Sequence, residues 1–471
     1  MRSDLLLFLA TLFVYGYFFQ GYGYNQDAHF DTVRAIVERH TLEITPYIAD
    51  PYGPGFTGDV SRAGDRVYSS KPPGLALVVL PCYAVTYAIE RAMGIDPTTD
   101  SNVTANQWLC TVWGSVLPGA ILAVSLRRYF RRRGMSGADS LLLAGGFAFG
   151  SLMFPYAGML VTQTLMAACL FIAWRLIEDP NPTDARAAIA GALLGLSLLA
   201  EISAAPLVLV YLFVAWTRRR RAALCFLIGP ILAVIVLLIY QCIAFGGVFA
   251  SSYSRVNPNY QDRGLLLGHF NLPDPRMLYW LSLHPVRGLF YCCPIFFIPI
   301  LSVLARGAEI ARKDWIIPAA VIANFLLFNL TFHGWTGGFG TGPRYLIPTL
   351  PFIMAFAPAG YRRFPRICVA LILISVAAML AVTAVRVQWE ANLFGPPRGY
   401  DPVAESFVSL TKYRHIARDR GSSNLGLLLG LRGMWSLLPP LLVIAAWVAS
   451  PWFFSKRQHG LAARATESAH V

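Results

Sequence analysis

Apolar runs long enough to cross a bilayer recur from one end of this chain to the other, separated by short blocks of arginine. A backbone inside hydrocarbon has no water to satisfy its N–H and C=O groups, so such runs must fold as helices. Only 14% of the 471 residues are charged, and the mean hydropathy is +0.53. A soluble domain has roughly a quarter of its residues charged. The chain is therefore read as all-α, a polytopic helical membrane protein forming one transmembrane domain over 1–471.

The net charge of +14 does not call for a nucleic-acid partner. The arginines lie in blocks at 127–133, 218–221, 306–313, 362–366 and 456–457, between apolar runs. That is the positive-inside pattern of cytoplasmic loops, which orients a chain against anionic membrane lipid. With those blocks inside, the expected crossings are 4–24, 105–127, 139–160, 163–178, 185–200, 203–217, 222–246, 289–305, 315–332, 345–360, 367–387 and 435–454. This gives about twelve helices with both termini inside. The first is expected to be a retained helix, since no Ala-x-Ala-type cleavage site follows it.

Residues 75–93 are also apolar. A crossing there would put the 127–133 arginines outside, at roughly 2.5–3.5 kcal/mol for each. They are read instead as an interfacial helix that returns to the same side. The outer loops 25–104, 247–288, 333–344 and 388–434 are long and rich in Gly, Pro, Tyr and His. The work of the protein is therefore expected on the extracytoplasmic face of the cytoplasmic (inner) membrane. The eight cysteines fall mostly in apolar segments without Cys-x-x-Cys spacing and read as packing residues.

Four constellations carry candidate chemistry. In 27–40, Phe30, Val33, Ile36 and Val37 recur at helical spacing, with Asp27, Asp31, Arg34 and Glu38 along the other stripe. This predicts an amphipathic juxtamembrane helix on the membrane surface. Asp31, Arg34 and Glu38 would pair along a solvated face. Asp27, at the helix start, is either a cap or a catalytic carboxylate. In Tyr68-Ser-Ser-Lys71-Pro-Pro-Gly74, two prolines and a glycine make a rigid corner that projects Lys71. The chain has 35 arginines and four lysines, so a lysine here suggests a compact charge for phosphate. The loop from His333 through Trp335 to Arg344 and Tyr345 is glycine-rich and suits an anionic or sugar ligand. His284 and Arg287 sit at the mouth of a further helix, where Arg287 also reads as an interface anchor. His29, with Asp27 and Asp31, would admit a divalent cation as the only cofactor, although no metal motif is present.

With these residues in view, the chain resembles the GT-C superfamily of membrane glycosyltransferases, which includes protein O-mannosyltransferases and the lipid A aminoarabinose transferase. The resemblance runs in order through Asp27, Tyr68–Gly74, Phe245-Gly246-Gly247 with Tyr253, His284–Tyr291 and Trp335–Tyr345. It implies a polyprenyl-phosphate-linked sugar as donor and an extracytoplasmic acceptor. It also implies Asp27 as the catalytic carboxylate and Lys71 beside the donor phosphate. The substrate-binding set would be His29, Asp31, Tyr68, Lys71, His284, Arg287, His333, Trp335, Arg344 and Tyr345. Two departures stand out. Gln163 occupies a position that is often acidic in relatives, and Glu201 one that is often basic. The rival classes are a transporter or flippase, for which Glu201 is the main intramembrane candidate, and an assembly protein using its aromatic loops as contact surfaces.

Overall fold

In the computed structural model, residues 2–21, 23–256, 264–266, 268–305, 315–338, 340–388, 402–410 and 423–449 are described. Helix α1 (Arg2–Tyr17) ends earlier than the expected 4–24 segment. Phe18 and Phe19 turn extended and pair with Asn424 and Ser423. The flanking Gly21 and Gly23 favour that break. Helix α2 (Tyr24–Arg39) follows, then a hairpin of β1 (Val60–Ala63) and β2 (Arg66–Ser69). The bundle continues through α3 (Gly74–Ala92), α4 (Asp100–Arg132), α5 (Gly137–Gly150), α6 (Thr162–Ile177) and α7 (Asp184–Ala200). It is completed by α8 (Ala205–Arg218), α9 (Arg220–Phe245), α10 (Ile316–Thr331) and α11 (Pro365–Val385). The all-α expectation holds apart from the two short strand pairs.

Helix α4 sets the scale of the molecule. Near its start, Gln107 holds Asp27; near its end, Arg127 pairs with Asp4. Those positions are roughly 20 residues and so about 30 Å apart, the thickness of a bilayer's hydrocarbon core. Other basic residues gather at the Asp4 end. Arg128 also reaches Asp4 (2.9 Å), Arg133 binds Glu178 (3.0 Å), and Arg362 donates to the Arg133 carbonyl (3.1 Å). The 127–133 arginines and Asp27 thus lie at opposite ends of the bundle.

Helix α3 accompanies only the Asp27 half of α4. Trp113 Nε1 donates to the Val78 carbonyl (3.0 Å), and Asn106 Nδ2 to Glu90 Oε2 (2.9 Å). The two helices are therefore antiparallel, and α3 stays away from the arginine end. Its outward side chains Val85, Ile89 and Met93 are exposed. Helix α3 is long and apolar enough to span a membrane on composition.

Among the described residues, α3, α4, α9 and α11 are long and apolar enough to cross a membrane, and other apolar helices are shorter. Twelve uninterrupted crossings do not appear. The expected 345–360 span is divided into a 3-10 turn (Arg344–Thr349) and helices Leu350–Met354 and Ala357–Arg363. Pro348, Pro351 and Pro358 lie in that stretch, and proline removes a helical donor and blocks the preceding turn. The 289–305 span likewise breaks into Leu289–Cys292 and Phe297–Leu304. The 139–160 span stops at Gly150 and restarts at Met153. Much of the 388–434 loop, and the end of the 435–454 segment, lie outside the described residues.

Candidate active site

The cap of α2 is Gly23, so Asp27 lies inside the first turn and is not the cap. Its carboxylate turns inward, and Oδ1 accepts from Gln107 Nε2 (2.8 Å). Burial pushes the Asp27 carboxyl well above the usual carboxylate range. The Gln107 bond and Arg34 oppose that shift, and the Asp59 charge adds to it.

The expected charged stripe does pair, but in the interior. Arg34 Nε donates to Glu38 Oε1 (3.0 Å), and Arg34 Nη1 lies 3.5 Å from Asp31 Oδ1. Tyr83 donates to Glu38 Oε1 (2.6 Å) and Tyr47 to Glu38 Oε2 (3.1 Å). The guanidinium also stacks 4.2 Å above the Tyr47 ring. Residues Asn25 to Ala35 are all buried, so α2 does not lie on a membrane surface. Periodicity revealed a polar face, and the folded loop covers it: Gly55 packs on the Asp31 carboxylate and Gly58 on the Tyr24 ring. Glu38→Ala would leave a buried guanidinium short of its main partner, at a cost of about 3–5 kcal/mol. Thermal unfolding in detergent should show Glu38→Ala melting well below wild type, with Glu38→Gln in between.

The Lys71 corner is fixed by its neighbours. Ser70 N donates to the Asp59 carbonyl (2.9 Å), and Ser69 Oγ accepts from Lys71 N (3.1 Å). Lys71 Nζ then sits 2.9 Å from Asp59 Oδ2. Burial disfavours its ammonium, but Asp59 outweighs that and holds its pKa above the usual lysine value. Gly74 opens α3 directly against the Leu199–Ala200 backbone, where a Cβ would overlap it. This close approach sets the corner beside Glu201, whose Oε1 accepts from Thr162 Oγ1 (2.8 Å). Tyr68, expected to bind substrate, is instead buried in an aromatic cluster, its ring 5.5 Å from that of Phe245.

The glycine-rich loop is organised by Arg287 rather than anchored by it to an interface. Arg287 Nη1 donates to the carbonyls of Thr336 and Gly340 (2.8 Å to the latter), and Nη2 donates to that of Gly338 (2.5 Å). Gly337, at φ +65°, lies against the Arg344 side chain; an added Cβ would stand 2.7 Å from Cγ. Arg344 is buried, its Nη2 donates to the Tyr345 hydroxyl (3.4 Å), and its Nε has no partner. His284 stacks on Trp280 (3.7 Å), Trp280 lies 6.0 Å from Trp335, and His333 bonds the His269 carbonyl (3.0 Å). His284, Trp335 and His333, expected to bind ligand, thus share one aromatic network.

The remaining groups share one neighbourhood. The Asp59 charge reaches Asp27, His29, Lys71, Glu201, Tyr253 and Arg344. Lys71 in turn senses Tyr345, Arg344 and Glu201. His29 is buried and its Nε2 has no partner. Burial, then Lys71 and Arg344, push its pKa down to about 3, so the imidazole is neutral. A fixed ammonium, a guanidinium with an uncommitted Nε and a neutral imidazole suit an anion with several oxygen acceptors, as phosphate has. Asp59 and Gln107 belong to this site without having been singled out by any motif. Gln163 is buried with Oε1 unpartnered.

No metal-binding group of three or more His, Cys, Asp or Glu side chains occurs among the described residues. Asp27 Oδ1 accepts from Gln107 and Asp31 Oδ1 faces Arg34, while Asp31 Oδ2 has no hydrogen-bond partner.

No family model matches the chain, and no curated protein matches it. Among solved structures, the chain is similar to ArnT from Cupriavidus metallidurans. The crystal structure of that protein bound to undecaprenyl phosphate matches over 96% of this chain and 74% of its own, with 14% identity and a TM-score of 0.48. The apo structure matches over 95% and 73%, with 15% identity and a TM-score of 0.46. A likeness of this degree transfers no residue role and no ligand to this chain.

Proposed function

We propose that the protein is a GT-C-type membrane glycosyltransferase of the inner membrane. It moves a hexosyl or pentosyl group from a polyprenyl-phosphate donor to an extracytoplasmic acceptor, a glycolipid, polysaccharide or protein. The observation that carries this reading is the gathering of buried Asp27, His29 and Arg344 with half-buried Lys71 about Asp59, about a bilayer's thickness from Arg127. With the 127–133 arginines cytoplasmic, the site faces outward.

In this mechanism the acceptor hydroxyl attacks the anomeric carbon. The new C–O bond forms as the bond to the donor phosphate oxygen breaks, inverting the centre. The hydroxyl proton passes to the Asp27 carboxylate. The bonding electron pair leaves with the phosphate, whose charge Lys71 and Arg344 stabilise. Asp31 holds Arg34 (3.5 Å) beside the site. Glu201, which a transporter would use as an isolated intramembrane acid, belongs here to the same charged cluster.

The test is a mass spectrum of lipids retained by the purified protein, compared with Lys71→Met/Arg344→Met. Polyprenyl phosphate enriched on wild type and lost from the double variant supports the reading. Equal retention by both, or none on wild type even after incubation with undecaprenyl phosphate, overturns it.

A further inference from the structure

We propose that Cys82 and Cys110 form a disulfide that locks α3 to α4 when the protein meets an oxidising compartment. The two helices run antiparallel in a register fixed on both sides of these cysteines. Val78 is bonded to Trp113 before them and Glu90 to Asn106 beyond them. That register sets Cys82 across from Cys110 on the facing helix. Both are free thiols. Cys110 is fully buried, whereas Cys82 is partly exposed on α3. An external reagent therefore meets Cys82 first.

The reaction is thiol–disulfide exchange. The Cys82 thiolate attacks a disulfide oxidant, forming a mixed disulfide and releasing one thiol. The Cys110 sulfur then attacks Cys82 Sγ and releases the second thiol. The protein gives up two protons and two electrons, and the oxidant disulfide is reduced to two thiols.

The bond would bear on the charged site without touching it. Helix α3 begins at the Lys71-Pro-Pro-Gly74 corner, and Cys110 lies one helical turn beyond Gln107, the partner of Asp27. The cross-link would hold the Lys71 corner in register with the helix that carries Gln107. The remaining cysteines lie elsewhere: Cys169 in α6, Cys225 and Cys242 in α9, Cys292 and Cys293 on either side of one short helix end, and Cys368 in α11.

The experiment treats the full-length protein in detergent with oxidised glutathione, removes excess reagent, denatures it and alkylates with iodoacetamide. Intact mass and peptide mapping then count free thiols. Six of the eight cysteines should be alkylated before reduction and all eight after it, with Cys82 and Cys110 as the missing pair. Cys82→Ser should keep seven alkylatable thiols in both conditions, whereas Cys110→Ser, lacking the resolving thiol, should hold glutathione on Cys82 and show six free thiols before reduction and seven after it. Eight free thiols in oxidised wild type, a mapped bridge between other positions, or a persistent internal bridge in either Ser variant overturns the proposal. Glutathione left on Cys82 alone in the wild-type protein also overturns it, because Cys110 would then not be within reach.

Discussion

If Asp27 is the general base proposed above, Asp27→Asn should abolish most sugar transfer, with kcat falling by about 10²–10⁴-fold, the range for loss of a positioned general base. The amide keeps the carboxylate's shape, and its Oδ1 still accepts from Gln107, so the fold is retained. The thermal midpoint should equal or exceed that of wild type, because an isosteric neutral group removes a buried titratable one. KM for the lipid donor should change little, since Lys71 and Arg344 are untouched. The pH profile separates this role from a structural one. Burial raises the Asp27 pKa, so the carboxylate is protonated and inactive at low pH and becomes a base as pH rises through that raised value. Wild-type kcat should therefore climb with pH, with a midpoint above the ordinary carboxylate range, and that limb should vanish in Asp27→Asn. Full transfer by the variant from labelled lipid-linked sugar would remove Asp27 from the mechanism.

The parts of this site visible in sequence are those whose chemistry is local. Lys71 stands out because arginine is used almost everywhere else and two prolines follow it. Arg344 stands out because it closes a run of glycines. Asp59 and Gln107 do not, because their meaning comes from the fold. Asp59 reaches Lys71 only through the hairpin pairing of Val60 with Ser69, and Gln107 meets Asp27 across 80 positions of chain. The stripe of Asp31, Arg34 and Glu38 looked solvated because periodicity shows which residues share a face, not what covers it. Tyr47 and Tyr83 supply the donors that let those charges be buried.

The histidines and Trp335 show how one pattern serves two ends. Aromatic and imidazole groups in a long loop resemble ligand contacts, yet the same groups pack a loop that has few apolar side chains of its own. The stack of His284 on Trp280 and the three carbonyl bonds of Arg287 hold the 333–345 segment in shape. Helix boundaries followed local rules less closely than expected, because prolines at 348, 351 and 358 divide an apolar run that hydropathy alone reads as one span.

That shaped loop exists to present Arg344, and Arg344→Ala should lower kcat/KM by about 10²–10³-fold, the scale for losing one fixed charge-stabilising donor. The guanidinium is buried, its Nε is uncommitted, and Gly337 presses on the aliphatic stem, so its position is set before any ligand arrives. Arg344→Lys keeps the charge but loses the planar fork, so it should recover only part of the activity. Gly337→Ala should mimic the loss without removing the charge. Its positive φ strains an L residue, and its Cβ would displace the arginine stem. Undecaprenyl phosphate should raise the melting point of wild type and do so far less for Arg344→Ala and Gly337→Ala, while Asp27→Asn keeps the wild-type response. If Arg344→Ala responds to the lipid phosphate as wild type does, Arg344 does not contact the phosphate, and the charge on the leaving group must be carried by Lys71 alone.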